Sequence, residues 1–319
     1  MDHRPCPFCC DESSSIFGTR GDIWLRCRTC RSVFRDITAD KFGRLHDEAF
    51  QDADFLDAVV ATHGLEPARA VWDGLSLPGR SLLEIGPGSG HLLAAAHEAG
   101  RAVAAVEHSQ ANRKFIQEIW GIEPLYPDLA AIPQDVSFDA VVAINVLEHV
   151  YDIAGFLRSI AKVITPGGVL FVSTSNAVSL EARLLGSAWA MCKTPDHVSF
   201  PSPAGMVRAA QVSNMQVERL WSTEVPFELP VSVLVAARDW KRARCCSRST
   251  ATDGYSGKIN AEKSGMPAKR WLARFYSCGK FIDPTSRLLG AWGRAANVKA
   301  CLRPVSQPPA SLQEDGLDS

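Results

Sequence analysis

Ser81-Leu82-Leu83-Glu84-Ile85-Gly86-Pro87-Gly88-Ser89-Gly90-His91-Leu92-Leu93 is the stretch on which the fold turns. A short apolar run, Ser81–Ile85, ends at a glycine-rich turn. An Ala/Leu-rich helix over 91–99 follows, with Gly100 as its C-cap. The alternation then repeats. Residues 102–107 read as a buried strand, and Ser109 caps a helix running to about Trp120, with Gly121 after it. Phe138–Ile144 is a third strand, 153–164 a helix stopped by Pro166-Gly167-Gly168, and 169–173 another strand. Continuous apolar strands alternating with helices predict an α/β fold whose parallel sheet is covered on both faces. Such sheets bind ligands at the carboxyl ends of their strands.

The loop itself discriminates between ligands. A dinucleotide site uses G-x-G-x-x-G, which seats pyrophosphate on a helix N-terminus. Here Gly86, Gly88 and Gly90 give G-x-G-x-G, and Glu84 lies two positions before them. A carboxylate there repels pyrophosphate but can hold an ammonium or a bound water. S-adenosylmethionine carries an amino-acid end and a sulfonium and no phosphate, so the loop favours it over NAD.

The segment LLEIGPGSGHLL resembles the first motif of class I S-adenosylmethionine-dependent methyltransferases. Further pieces match in order: Glu107 at the end of the second strand, Asp128 in YPDLAAIP, FDAVVAINVLEHV and ITPGGVLFVSTSN. The resemblance covers roughly residues 45–222 and is nearest to ubiquinone-pathway and small-molecule or sugar O-methyltransferases. It implies a Rossmann-like sheet of seven strands. It also implies a cofactor set of Glu84, Gly86, Gly88, Gly90, Glu107 on the ribose hydroxyls, Asp128 with the Leu129 amide at the adenine, and Asn145. His91 is expected to face the cofactor cleft without reacting, and Asn176 is a further candidate contact.

Methyl transfer from a sulfonium is an in-line displacement that demands alignment and exclusion of water. An oxygen acceptor of high pKa also gains from a general base. The candidates are His149, just past the third strand named above, and His197 in TPDHVSF, which the family places over the acceptor pocket. Either imidazole titrates near neutrality. The plainer reading of His149 is a helix-start residue bonded to backbone.

At the N-terminus, Cys6-Pro7-Phe8-Cys9 and Cys27-Arg28-Thr29-Cys30 form two C-x₂-C pairs separated by residues 10–26. This spacing predicts a four-cysteine zinc ribbon in which Zn²⁺ has a structural role, with short strands at 23–25 and 33–34. So small a unit has no core of its own and takes folding energy from metal. Cys10 is surplus to the register. Similar ribbons precede methyltransferase domains in some sugar C-methyltransferases and some ribosomal-RNA methyltransferases.

The chain therefore divides into a ribbon (1–35), a helical cover (36–78), the cofactor-binding core (79–222), an insertion with the last strand (223–303) and a disordered tail (304–319). Phe50, Phe55, Leu56, Val59 and Val60 give the cover its helical spacing. An antiparallel hairpin of 215–221 with 297–302 is expected to finish the sheet. The net charge of −1 carries no general bias toward nucleic acid or anionic membrane. Residues 241–280, however, hold ten Lys/Arg against Asp253 and Glu262, which suits a phosphorylated or acidic acceptor or a peripheral contact. No run reaches the roughly 20 apolar residues of a membrane span, and the first residues lack a signal-peptide core, so a cytoplasmic location is expected. The acceptor is expected to be a small molecule or glycan, methylated on oxygen. RNA is the alternative, since Arg4, Arg20, Arg26, Arg28, Arg31 and Arg35 crowd the ribbon. A non-catalytic binding module that keeps the fold as a scaffold is the alternative of another class.

Overall fold

The computed structural model describes residues 3–18, 22–49, 65–223 and 294–305. The helical positions at 50–60 and the basic region 241–280 lie outside the described residues. In chain order the elements are β1 (Ser14–Gly18), β2 (Trp24–Cys27), β3 (Val33–Arg35), α1 (Ala39–Ala49), α2 (Leu65–Leu75), β4 (Ser81–Ile85), α3 (His91–Glu98), β5 (Ala102–Val106) and α4 (Gln110–Trp120). They continue with β6 (Leu125–Tyr126), β7 (Phe138–Ile144), α5 (Ile153–Ala161), β8 (Ile164–Ser175), α6 (Leu180–Leu185), β9 (Ser199–Phe200), α7 (Pro203–Val212), β10 (Met215–Thr223) and β11 (Asn297–Pro304).

Seven strands form the main sheet in the order β10-β11-β8-β7-β4-β5-β6. The pairs from β8 to β6 are parallel, and β11 is antiparallel to both β8 and β10. This is the α/β sheet expected of the Rossmann-like reading, with its closing hairpin. Period-2 alternation sorts the strands between two cores. Leu82, Val103, Ala105 and Val142 face one core with Leu93 of α3 and Ile116 of α4. Leu83, Ala104, Val141 and Val172 face the other with Leu157 of α5 and Met206 of α7.

Two boundaries differ from the sequence reading. The helix expected over 153–164 stops at Ala161, and Ile164 already pairs with Phe138, so β8 starts five residues before Val169. The bend at Pro166-Gly167-Gly168 sits inside the strand as an irregularity of the ladder, a place where proline and glycine are tolerated. Pro304, expected to open the tail, belongs to the sheet: it pairs with Met215, and the Val305 amide donates to the Asn214 carbonyl, while 306–319 lie outside the described residues.

The N-terminal segment builds a second sheet, β1-β2-β3-β9. Its fourth strand comes from residues 199–200 of the methyltransferase-like region, so the ribbon is completed by that region. Trp24 stacks on Phe200 at 5.4 Å and Trp189 lies 4.8 Å from the same ring. Cys6, Phe8, Leu25 and Phe34 join the core formed by α5 and α7. Among the described residues, no helix is long and apolar enough to cross a membrane.

Candidate active site

The loop after β4 lies at the carboxyl ends of β4, β5 and β7. Gly86, Gly88 and Gly90 all take positive φ (65°, 55° and 76°). Two of them carry a reason. A Cβ on Gly90 would stand 2.9 Å from Ile116 Cγ1, so close packing of the loop on α4 excludes it. A Cβ on Gly88 would meet nothing within 4 Å, so the loop backbone borders open space where a ligand can approach. The Trp120 indole donates to the Ser89 carbonyl (2.8 Å), and Ser89 Oγ pairs with His91 Nδ1 (2.8 Å), with His91 edge-on to Trp120. His91 thus braces the loop.

Two buried carboxylates flank it. Burial pushes Glu84 up to about 8, with Glu107 adding repulsion, and its Oε2 has no hydrogen-bond partner among the described residues. Glu107 follows β5. Its Oε1 accepts from the Ser109 amide (2.8 Å) and its Oε2 from the Gly88 amide (3.3 Å), while burial raises its pKa. Its oxygens are therefore aimed across the loop, each with lone-pair capacity left for a vicinal diol. An orphaned buried carboxylate oxygen, an open glycine and a loop-facing Glu107 fit an amino-acid-bearing nucleoside. Asp128 is exposed, and its Oδ1 caps a short 3₁₀ turn by accepting from the Ala131 amide (2.9 Å). Leu129 begins that turn and packs on the core. Asn145 is exposed beyond β7 with φ 54°, its amide donating to the Ser173 carbonyl (2.8 Å). Asn176 is fully buried; its side-chain amide donates to the Ala295 carbonyl and its Oδ1 accepts from the Val178 amide, which makes it an anchor for the segment entering β11.

His149 and His197 come together. Their rings are 4.7 Å apart and edge-to-face. His149 Nδ1 lies 2.9 Å from Asp196 Oδ2, an ion-pair contact whose angle is not that of a hydrogen bond, so this nitrogen has no hydrogen-bond partner among the described residues. Burial would lower the His149 pKa, but the Asp196 carboxylate, helped by Glu148, raises it above the ordinary imidazole range. Asp196 is correspondingly lowered: burial opposes ionisation and the neighbouring His149 imidazole overcomes it. His197 is pushed down to about 4 by burial and by His149, so it is neutral at physiological pH. Its Nδ1 meets the Met191 carbonyl at 3.0 Å, which leaves Nε2 as the acceptor nitrogen. Glu148 is buried and raised by desolvation, and the Thr174 hydroxyl donates to it (2.6 Å). The sequence flagged both histidines. The pairing of His149 with Asp196, 47 positions away, had no signal beyond the Asp-His neighbours.

The four cysteines also converge. Cys6 Sγ lies 3.6 Å from Cys30 Sγ and Cys9 Sγ 3.5 Å from Cys27 Sγ, and all four sulfurs fall within 4.8 Å of one another. Tetrahedral thiolate coordination at ~2.3 Å sets sulfurs roughly 3.8 Å apart, so the donor set fits one ion. The two knuckles match. The Cys10 amide donates to the Cys6 carbonyl (2.9 Å) and the Arg31 amide to the Cys27 carbonyl (3.1 Å), with φ of 60° at Cys10 and 65° at Arg31. Cys10 therefore occupies the turn-closing position and is exposed, off the cluster.

A family model for a methyltransferase domain matches residues 66–220. The curated ubiquinone biosynthesis O-methyltransferase of Paracidovorax citrulli (strain AAC00-1) is 28% identical over 172 residues, spanning 49% of this chain and 72% of the relative. That of Xanthomonas campestris pv. campestris (strain B100) is 34% identical over 159 residues, spanning 46% of this chain and 63% of the relative. A solved structure described as a SAM dependent methyltransferase from Archaeoglobus fulgidus is 14% identical, covers 79% of this chain and 99% of its own, and superimposes with a TM-score of 0.48. Residues 66–220 are a methyltransferase domain of the class I S-adenosylmethionine-dependent family.

Proposed function

We propose that this methyltransferase methylates a hydroxyl of a small-molecule or glycan acceptor, with His149 as the base, Asp196 as its orienter and a structural Zn²⁺ held by Cys6, Cys9, Cys27 and Cys30. The observation that carries the reading is the 2.9 Å approach of His149 Nδ1 to Asp196 Oδ2 beyond the end of β7. Two curated relatives that act in ubiquinone biosynthesis are O-methyltransferases, which supports oxygen as the acceptor atom.

Bound S-adenosylmethionine supplies a methyl group activated on sulfur. Glu84 and the Gly86-Pro87-Gly88 backbone would hold its amino-acid end and Glu107 the ribose hydroxyls, with Asp128, Leu129 and Asn145 bordering the rest. The Asp196 carboxylate beside Nδ1 favours a proton on that nitrogen, which would leave Nε2 of His149 to accept the acceptor hydroxyl's proton. His197, neutral and edge-to-face on His149 at 4.7 Å, holds the His149 ring in place. The closed Cys₄ donor set has no open position for chemistry.

RNA is the weaker reading. Three of the six ribbon arginines are engaged within the fold: Arg4 over Tyr151, Arg26 over Phe17, and Arg35 with Asp22.

Transfer of labelled methyl from S-adenosylmethionine into phenolic and sugar hydroxyl acceptors tests the proposal. His149→Gln should lower the rate on the order of 10²–10⁴-fold with cofactor affinity unchanged. Because the folded pKa of His149 lies above 6.5, the rate should rise with pH through a midpoint above that value. Asp196→Asn should move the midpoint down. A rate indifferent to His149→Gln would refute the base.

A further inference from the structure

The ribbon grips both segments that carry the acid–base pair. On the His149 side, Arg4 Nη2 donates to the Tyr151 carbonyl (3.0 Å), its guanidinium stands 4.0 Å from the centre of the Tyr151 ring, and the Tyr151 hydroxyl donates to the Ile37 carbonyl (3.1 Å). On the Asp196 side, the Arg35 guanidinium donates to the Pro195 carbonyl and pairs with Asp22, while the Arg35 amide donates to the Val198 carbonyl (2.9 Å). Val33 and Phe34 pair with Phe200 and Ser199 as β3–β9.

A further link reaches the cysteines. Buried Ser32 stands between them and the next segment: its Oγ lies 3.2 Å from Cys30 Sγ and accepts from the Ser202 amide (3.2 Å). The Ser202 hydroxyl donates to the Cys30 carbonyl. The two gripped segments also meet each other, through the Val198 amide on the Glu148 carbonyl (2.7 Å) and the Ser199 hydroxyl on the Leu147 carbonyl (3.0 Å). None of these bonds touches the glycine loop.

We infer that the Cys₄ ribbon is the positioning element of the acid–base pair, with Arg35 and Arg4 as positioning residues that hold Asp196 against His149. This deepens the proposed function and rests on its assignment of His149. Short-range ion pairing falls away with distance, and misplacement by about 1 Å costs on the order of 100-fold in a rate. Ordering the ribbon would therefore set acceptor chemistry while leaving cofactor affinity alone.

The test uses the full chain and needs no acceptor. The titration of His149 is followed by NMR of its ring, with His149→Gln to assign the signal, in parallel with calorimetry of S-adenosylmethionine binding and metal content. The charged groups facing that imidazole are Asp196, Glu148 and His197, with Arg35 behind His197. Arg35→Ala should lower the His149 midpoint by at least half a unit, with cofactor affinity within twofold of the parent. Arg35→Lys, which retains a donor for Pro195 and Asp22, should restore part of the shift, and Arg4→Ala should lower the midpoint as Arg35→Ala does. Chelation should reproduce the shift while cofactor binding persists. An unmoved midpoint in Arg35→Ala, Arg4→Ala and the stripped protein overturns the inference. Joint loss of cofactor binding overturns it too, by making the ribbon a general scaffold. If the parent holds no metal, the zinc assignment fails and the arginine variants still decide the positioning role. If the midpoint moves but His149→Gln keeps full methyl transfer, the base assignment fails and the positioning geometry stands.

Discussion

Single residues show how burial selects a ligand. The Glu84 carboxyl sits at about 8, so at pH 7 most of it carries a proton. An ammonium placed beside it favours the carboxylate, and the pKa falls. Cofactor binding at pH 7 should therefore release a fraction of a proton approaching one, and the release should vanish above pH 9. Calorimetry in buffers of different ionisation enthalpy measures it, and Glu84→Gln should abolish it. Most of the candidate site was legible at this scale because glycine spacing and strand-end acids are sequence-local. Asp196 and Arg35 were not: their roles depend on partners 47 and 160 positions away in the chain. The capping role of Asp128 is local, yet the same residue type in a loop serves a ligand or a backbone amide equally well.

At the scale of elements, the sheet was legible and its junctions were less so. Apolar runs of five to seven residues marked β4, β5 and β7, with Gly86 closing the first and Gly100 preceding the second. The start of β8 was misread because Pro166-Gly167-Gly168 signals a stop to helix and strand alike. β9 has two residues and no periodicity to detect; pairing with β3 defines it. The N-cap of α4 was read correctly: Ser109 Oγ accepts from the Asn112 amide at 3.3 Å. Ser109→Ala should cost about 1 kcal/mol in chemical denaturation. Gly90→Val should cost more, because φ of 76° and the 2.9 Å approach to Ile116 act together.

The whole molecule joins two kinds of order. The parallel sheet stands on two apolar cores, whereas the ribbon depends on a cysteine cluster and on β9. Metal removal should accordingly lower the thermal midpoint of the full chain and expose tryptophan fluorescence from Trp24 and Trp189, which share a core with Phe200. Cysteine spacing pointed to the four-cysteine cluster. That β9 completes the N-terminal sheet became visible only in the fold, since no local pattern records which strand completes a sheet.

The Gly86–Gly90 loop is proposed as the cofactor seat, and among the described residues the cysteine cluster makes no contact with it that would tie metal content to cofactor binding. Titration of S-adenosylmethionine into the full chain and into Gly88→Arg, with metal content measured on both, tests it most directly. One binding site in the parent, loss of binding in the variant and the same metal content in each are expected. Absence of binding in the parent, or undiminished binding in Gly88→Arg, would contradict it.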